Sequence, residues 1–226
     1  MTTPLIVISS NHSDTGKTTL ALNLAAALWS DGYHVMLYAP HNSMVDKFMQ
    51  KRIALTAEKN IELPMPKRID TIMPDELAGK NVIIADIPSA ENSKYADIFA
   101  QAHTLITIEK NVADFQWEYR DMYMNLIWNA KKEIAARGIK YLNWIALLNY
   151  SENLSPTKLK LLETASKKFG FRIAEPLHRR EAFEHIKDGF CAADMILDAD
   201  AFKMTLADVY ARREILTLTD FLWQEK

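Results

Sequence analysis

The chain has 226 residues, of which 49% are hydrophobic and 25% charged, which supplies enough apolar side chains for a core and excludes a disordered chain. The net charge of −2 gives no general attraction to nucleic acid or to anionic membranes, so any such binding must depend on a local patch. The apolar runs are too short to span a bilayer, and the single cysteine, Cys191, excludes an intramolecular disulfide.

Short apolar runs alternate with longer amphipathic stretches along the chain, which is typical of βα units around a parallel sheet. Strands are predicted at residues 5–8, 34–38, 81–85, 104–108 and 144–148. Helices are predicted at 17–29, between the later strands, at 156–168 and at 206–223. We therefore expect one α/β domain over residues 1–226, with three layers and a mostly parallel, doubly wound sheet that carries helices on both faces. The lack of a recognisable signal peptide favours the cytoplasm.

The first strand runs into a loop that leads directly into a helix, which is the context of a phosphate-binding loop. In such loops backbone N–H groups and the helix dipole bind phosphates, Lys17 would reach the outer phosphates, and the Thr18 hydroxyl would ligate Mg²⁺. Asn11 replaces the first glycine of the GxxxxGK[ST] template and tolerates a left-handed backbone better than most residues. The GKT string alone also fits an ordinary helix start, but its place after the first strand favours phosphate binding. The predicted nucleotide contacts are Asn11, Ser13, Asp14, Thr15, Gly16, Lys17, Thr18 and Thr19.

A second feature of phosphate-loop proteins is an acidic residue at the end of a neighbouring strand. Asp86 follows the apolar run at 82–85 and fits this position. By itself an aspartate after a strand is more often a cap or turn residue, because it readily bonds its own backbone. Together with Thr18 upstream, Asp86 is a candidate ligand of Mg²⁺ or of its bound water.

Apolar residues recur between the fourth and fifth predicted strands at spacings of four and three. This spacing predicts one face of a long helix, packed in the core rather than around a ligand. The residues are Phe115, Tyr119, Met122 and Leu126.

The helix predicted at 156–168 begins behind the potential cap Ser155 and ends before Gly170. It is rich in lysine, which fits either a solvated surface or non-specific binding of DNA phosphates. The basic residues are Lys158, Lys160, Lys167, Lys168 and Arg172, with Arg179, Arg180, Arg212 and Arg213 as further pairs.

Two segments carry a resemblance to a known family. Residues 15–28, with the sequence TGKTTLALNLAAAL, resemble the phosphate loop and first helix of the ParA/MinD family of P-loop NTPases, and residues 86–89 (DIPS) resemble its DxPG motif. Within that family, the stretches at 60–66, 169–173 and 211–216 are most similar to MipZ, which positions the division plane.

The resemblance implies ATP and Mg²⁺ as cofactors, an ATP-enclosing homodimer, non-specific DNA binding and a ParB-like partner. It thereby implies association with the nucleoid. Asn149 matches the asparagine that contacts adenine in the family, although a lone asparagine there is more often a turn residue.

Three departures from the family's pattern concern its chemistry. His12 stands where the family has a lysine that reaches the partner's ATP, and imidazole is a shorter and weaker phosphate partner. Ser13 and Asp14 replace two glycines, and a carboxylate repels a triphosphate unless a cation intervenes. After the second strand, Ala39 and His41 stand within the family's DxD segment, whose acid positions the hydrolytic water; His41 could act as a base only in suitable geometry. The catalytic candidates are therefore Lys17, His12 and His41.

Three functions remain open at this point. The first is a nucleotide-binding switch in cell division or in DNA or plasmid partitioning, which binds MgATP, dimerises, associates with DNA and hydrolyses ATP weakly. The second is a pseudo-ATPase scaffold that has lost nucleotide dependence. The third is an ATP-dependent ligase or synthase on the same fold, for which no substrate-binding groups are recognisable.

Overall fold

The computed structural model describes residues 3–40, 42–72, 81–118, 121–138, 141–151, 154–194 and 205–224. Within these ranges seven strands form one sheet, in which all neighbouring strands are parallel. The strands are β1 (Leu5–Ser9), β2 (His34–Tyr38), β3 (Lys67–Ile69), β4 (Asn81–Asp86), β5 (Thr104–Glu109), β6 (Asn143–Leu148) and β7 (Arg172–Ile173). Their order across the sheet is β3-β2-β4-β1-β5-β6-β7, so strands are added on both sides of β1.

Helices cover both faces of this sheet. The α-helices are α1 (Lys17–Ser30), α2 (Ser43–Lys59), α3 (Ala96–Gln101), α4 (Met122–Ala136), α5 (Pro156–Phe169) and α6 (Leu206–Trp223), and 3-10 helices span Ser89–Tyr95, Val112–Phe115 and Glu181–Asp188. Ile6 and Ile8 of β1 pack in a core cluster with α1, α2 and α6. Leu5 and Val7 pack on the other face with α3, α4 and α5. The predicted three-layer α/β fold with a doubly wound sheet is confirmed.

The apolar runs of the sequence form the strands because both faces of a parallel sheet are covered. All five residues of β1 are buried. α5 begins and ends as its sequence predicts, since the Ser155 side chain accepts a hydrogen bond from the Lys158 N–H and Gly170 ends the helix with φ 79°. The sequence patterns did not indicate β3 and β7, which have only three and two residues.

The prediction of one long helix carrying the aromatic stripe is wrong. Phe115 is in the core, but it ends a 3-10 helix, whereas Met122 is the first residue of α4 and is 78% exposed. Tyr119 lies outside the described residues. The helix begins at Met122 because the Asp121 carboxylate accepts the Tyr123 N–H as an N-terminal cap, which turns a different face of α4 to the core.

A buried ion pair joins α2 to Asp194, which follows the 3-10 helix at Glu181–Asp188. Arg52 Nη2 lies 2.5 Å from Asp194 Oδ1 and Nη1 lies 2.9 Å from Oδ2, with neither side chain exposed. Arg52 Nη1 also donates to the carbonyl of Gly189 at 2.9 Å. Removing one partner of such a pair leaves a buried charge without compensation, so the two segments are held together firmly.

In the part of the chain that the structure describes, no helix has both the length and the apolar character that a membrane crossing requires.

Candidate functional site

The loop between β1 and α1 lies at the point where the strand order of the sheet reverses. β1 has β4 on one side and β5 on the other, so connections leave its carboxyl end in opposite directions. Open α/β sheets bind ligands in the crevice formed there. The carboxyl ends of β4 and β5 carry Asp86 and Glu109, which therefore lie on either side of the loop.

Gly16 is the N-cap of α1 and fits the loop in a way that other residues cannot. Its φ of 93° is left-handed, and a Cβ at this position would collide with the side-chain nitrogen of Asn149. Asn149 is buried at the end of β6, and its Nδ2 donates to the carbonyl of Thr15 at 2.7 Å. Asn149 therefore holds the loop, a role that sequence reasoning did not predict.

The side chains of Thr18 and Asp86, the two residues expected to ligate Mg²⁺, are in contact. The Thr18 hydroxyl donates to Asp86 Oδ2 at 2.6 Å. Asn42 Nδ2 donates to both Thr18 Oγ1 and Asp86 Oδ2 at 2.9 Å, while its Oδ1 caps α2 by accepting the Met44 N–H. Burial raises the pKa of Asp86 above its ordinary value, and the hydrogen bond from Thr18 and the charge of Lys17 oppose this rise.

These residues fit a Mg²⁺ ion bound with a phosphate. A hydroxyl and a carboxylate in contact are the oxygen ligands that Mg²⁺ takes in phosphate sites. The buried Thr15 hydroxyl has no hydrogen-bond partner among the described residues, so the loop holds a polar atom that a ligand can satisfy.

The Lys17 side chain folds back over the phosphate loop and is hydrogen-bonded at its far side. Its Nζ donates to Ser89 Oγ at 2.5 Å and to the His12 carbonyl at 3.4 Å, and Ser89 Oγ donates to the same carbonyl at 2.6 Å. Ser89, in the position of the glycine of the DxPG motif, is thus an acceptor for the lysine. Burial lowers the pKa of Lys17, and the Asp86 charge opposes this effect.

The His12 side chain is bonded within its own chain. His12 Nδ1 lies 3.0 Å from Oε2 of Glu109, whose Oε1 accepts the Asn11 N–H at 2.7 Å. The hydrogen bond to Glu109 raises the pKa of His12, while burial raises that of Glu109. Sequence reasoning missed Glu109, although an acidic residue ends β5 just as Asp86 ends β4.

Asp14, one of the loop residues that replace a glycine of the family motif, has a left-handed backbone conformation. Its φ is 55°, and aspartate is one of the few residues that tolerate this region. Asn11, for which the same tolerance was expected to matter, is not among the residues with positive φ. Ser13 and Asp14 are both exposed.

The segment after β2 offers little for catalysis in its described part. Ala39 is buried and uses its carbonyl to accept a hydrogen bond from Arg68. His41 lies outside the described residues, so its predicted role as a base stays a prediction. Asn42, which the motif comparison overlooked, is the residue of this segment that contacts Thr18 and Asp86.

A cavity of about 470 Å³ opens beside the first turn of α1. Its apolar wall includes Phe48, Tyr150 and Phe183, and Thr19 lies at its edge. Its remaining wall is mostly basic, contributed by Lys47, Lys51, Arg179, Arg180 and Lys187. Three of these basic side chains are ion-paired, Lys187 with Glu184, Arg180 with Glu214 and Lys51 with Asp188. The aromatic wall suits a flat ligand, and Lys47 and Arg179 add positive charge to it.

The predicted basic cluster is only partly available to a partner. Four lysines of α5 are exposed, whereas Arg172 donates to Asn143 Oδ1 and to the carbonyls of Phe221 and Gln224. Arg180 pairs with Glu214 at 2.6 Å. The inclusion of Arg172 in the cluster is therefore wrong, because its guanidinium joins β7 to the end of α6. The exposed lysines are Lys158, Lys160, Lys167 and Lys168.

Comparisons with known proteins agree with this architecture. A family model described as ATPase MipZ matches residues 68–223, which include Asp86 and Asn149 but begin after the phosphate loop. The MinD cell division protein of Aquifex aeolicus superposes with a TM-score of 0.59 at 15% identity, over 99% of this chain and 98% of that one. MinD of Pyrococcus horikoshii, in complex with Mg-ADP, gives 0.57 at 16% identity, over 98% and 96%.

A third similar structure is a Borrelia burgdorferi protein described as a plasmid partition protein, bound to AMPPNP. It gives a TM-score of 0.53 at 12% identity, over 97% of this chain and 98% of that one. No curated protein sequence matches the chain. At these identities the structural likeness establishes the fold, and the matched family model adds the family.

Proposed function

Because this chain belongs to the MipZ ATPase family, we propose that it is a nucleotide-dependent switch in cell division or in DNA or plasmid partitioning. In this proposal it binds MgATP at residues 11–19 and Asp86, forms a homodimer and associates with DNA. The observation that carries the proposal is the contact of Thr18 Oγ1 with Asp86 Oδ2 at 2.6 Å, beside Lys17 and behind the left-handed Gly16.

The phosphates would be bound by the loop backbone and the positive end of α1. Lys17 would exchange its bonds to Ser89 and to the His12 carbonyl for the outer phosphate oxygens, which are stronger acceptors because they are charged. Thr18 and Asp86 would hold Mg²⁺, which neutralises charge on the phosphates. The same cation would offset the repulsion from the exposed Asp14 carboxylate.

The nucleoside would extend into the cavity beside Thr19. Tyr150 and the Arg179 region line this cavity, and its volume suits a ligand of this size. Asn149 stays proposed as an adenine contact, although its Nδ2 donates to the Thr15 carbonyl. Its place directly behind Gly16 makes it a link between the base and the loop.

ATP hydrolysis would be slow. Ala39 provides no carboxylate to position water, and the His12 imidazole is hydrogen-bonded to Glu109. Catalytic roles for Lys17, His12 and His41 are part of the proposal. A slow reaction suits a switch, because the bound state then persists long enough to act on partners.

DNA would be contacted through the exposed lysines of α5, which supply phosphate contacts that do not depend on sequence. Such contacts would place the protein on the nucleoid within the cytoplasm. A ParB-like protein would be its partner, as in the family that the sequence resembles.

A second candidate is a pseudo-ATPase scaffold, and one observation favours it. Lys17, the residue that should reach phosphate, is hydrogen-bonded to Ser89 and to the His12 carbonyl. Its ammonium group therefore has protein partners without a nucleotide. In this case the protein would act through binding surfaces alone.

Titration calorimetry with ATP and Mg²⁺ separates the two candidates. The wild type should bind ATP and Lys17→Ala should not, while Lys132→Ala, which removes an exposed lysine of α4, should bind as the wild type does. At a ligand concentration of 100 Kd, binding should stabilise the fold by about 2.7 kcal/mol. A wild-type protein that neither binds ATP nor is stabilised by it would leave the scaffold as the function.

A further inference from the structure

Three side chains of metal-ligand type meet beside the phosphate loop, on the side away from Asp86. His12 lies on the loop, Glu109 ends β5, and Asp114 lies in the 3-10 helix at Val112–Phe115. One ligand atom from each residue, an imidazole nitrogen or a carboxylate oxygen, lies within 4.8 Å of the other two. We refer to these residues as the His12–Glu109–Asp114 cluster.

The two carboxylates are held in place by the backbone around them. Glu109 is fully buried, and its Oε1 accepts the Asn11 N–H at 2.7 Å. Asp114 Oδ2 accepts both the backbone N–H and the side-chain Nδ2 of Asn111 at 3.1 Å. Such donors orient metal ligands and limit the entropy lost when an ion binds. The His12 side chain is 51% exposed, which leaves a route from solvent.

The local charge favours a cation. Glu109 and Asp114 face one imidazole, and the carboxylate of Asp121 also acts on His12 electrostatically. The Lys17 ammonium acts on Glu109 through its charge, while its hydrogen bonds go to Ser89 and to the His12 carbonyl. Another histidine–glutamate pair in the described chain differs in this respect, because the Glu214 carboxylate beside His178 is also bound by the guanidinium of Arg180. A buried carboxylate needs a compensating charge as well as hydrogen bonds, and a bound cation would supply that charge.

We propose that the His12–Glu109–Asp114 cluster binds a divalent transition-metal ion, with Zn²⁺ as the best match to its ligands. One imidazole nitrogen with two carboxylate oxygens suits Zn²⁺ and its first-row neighbours, whereas Mg²⁺ and Ca²⁺ prefer oxygen ligands alone. This site is separate from the Thr18 and Asp86 pair, which carries oxygen ligands only. Three protein ligands leave a coordination position for water or another small ligand.

The ion would connect the start of the phosphate loop to β5 within one chain. It would replace the direct contact of His12 Nδ1 with Glu109 Oε2, and it would keep the His12 side chain on its own protomer. Metal occupancy would thereby fix the position of His12 whether or not a nucleotide is bound.

The test uses Co²⁺, whose visible absorption reports its ligands, added to tag-free, nucleotide-free full-length protein in excess Mg²⁺. We expect one Co²⁺ per chain and its displacement by Zn²⁺. His12→Gln and Asp114→Asn should each weaken binding by about tenfold or more. His178→Gln, which changes the other histidine–glutamate pair, should bind Co²⁺ as the wild type does.

Three results would overturn the proposal: no Co²⁺ spectrum with the wild type, displacement of Co²⁺ by Mg²⁺, or equal binding by His12→Gln and His178→Gln. The two substituted cluster residues are at least partly exposed, so these variants should fold, and circular dichroism checks this. Because no nucleotide is present, the outcome does not depend on whether the chain binds ATP.

Discussion

The imidazole of His12 and the carboxylate of Glu109 are joined within one chain, with Nδ1 3.0 Å from Oε2. Glu109 also accepts the Asn11 N–H, so two consecutive residues of the phosphate loop are attached to the end of β5. In the family that the sequence resembles, the residue at position 12 is a lysine that crosses to the partner's nucleotide. Here the buried carboxylate of Glu109 holds the His12 side chain against its own protomer.

This contact predicts that restoring the lysine alone will achieve little. In His12→Lys the new ammonium should pair with Glu109, so ATP should induce no more dimer than in the wild type. The double variant His12→Lys, Glu109→Gln removes the competing charge and keeps an acceptor for Asn11, and it should give more dimer. Light scattering with MgATP measures this, with Glu109→Gln alone as the control. Equal dimerisation of the single and double lysine variants would show that Glu109 does not hold residue 12.

Gly16 should be far less tolerant of substitution than a glycine with similar φ in open space. Gly16→Ala combines a left-handed φ of 93° with a collision against Asn149, whereas Gly138→Ala has a φ of 78° and no atom within 4 Å of its new Cβ. Both should lose about 1 kcal/mol of unfolding free energy to backbone strain. Gly16→Ala should lose clearly more, measured by urea unfolding, and equal losses would mean that Asn149 moves away freely.

Asn42 offers a test of the Mg²⁺ position that does not require turnover. Asn42→Asp keeps the cap on α2 but places a second carboxylate beside Asp86, so the protein should be destabilised by about 1 kcal/mol or more without metal. Mg²⁺ with ATP should then raise the melting temperature more than in the wild type. Asn42→Ser, which keeps a cap and adds no charge, is the control. An Asn42→Asp protein that Mg²⁺ does not rescue would place the ion elsewhere.

His103 should make stability fall in mild acid. Its Nδ1 accepts the Leu5 N–H at 3.1 Å, and burial, assisted by Arg137, lowers its pKa below the ordinary 6.5. As pH falls below about 6.5, His103 is protonated in the unfolded chain but not in the folded protein. The free energy of unfolding therefore decreases until His103 of the folded protein is protonated too.

Chemical unfolding between pH 7.5 and about 5 would measure this effect. His103→Asn, whose Oδ1 can still accept the Leu5 N–H, should reduce the pH dependence. An unchanged slope in His103→Asn would assign the acid sensitivity to other groups.

The α5 lysines predict a salt-dependent affinity for DNA. The double variant Lys160→Glu, Lys167→Glu should bind DNA about tenfold or more weakly at low salt. The slope of log affinity against log salt concentration should fall by about one for each lost phosphate contact. The double variant Lys59→Glu, Lys132→Glu, on α2 and α4, changes the net charge by the same amount and is the matched control. Fluorescence anisotropy with a duplex of arbitrary sequence measures both quantities, and an affinity that does not change with salt would argue against phosphate contacts.

Much of the fold could be predicted because local patterns agree with tertiary packing. The apolar run of β1 is buried on both faces, and the Ser155 cap with Gly170 sets the ends of α5. α4 was mispredicted because a spacing of four and three also occurs across a helix boundary, and the Asp121 cap decides where the helix starts. A three-residue strand such as β3 carries too short a pattern to recognise.

Site residues that lie within a sequence motif could be named from the sequence. Residues that reach the site from distant strands or helices could not. Lys17, Thr18 and Asp86 follow from the motif and from strand ends, and Thr18 and Asp86 do meet. Glu109 and Asn42 gain their roles only once β5 and α2 lie beside the loop, and no spacing in the chain encodes that approach.

Helix α2 lies between two sites, the phosphate loop at its N-terminal end and the Arg52–Asp194 ion pair further along. At its first turn Asn42 bonds to Thr18 and Asp86, and about 15 Å along its axis Arg52 is locked to Asp194 in the buried ion pair. If an ion bound beside Asn42 displaced α2 as a whole, Arg52 would move too, and the displacement would either carry Asp194 along or leave two buried charges without partners. Through this ion pair, a shift of α2 at the phosphate loop would be felt at Asp194, on the opposite side of the helix contact.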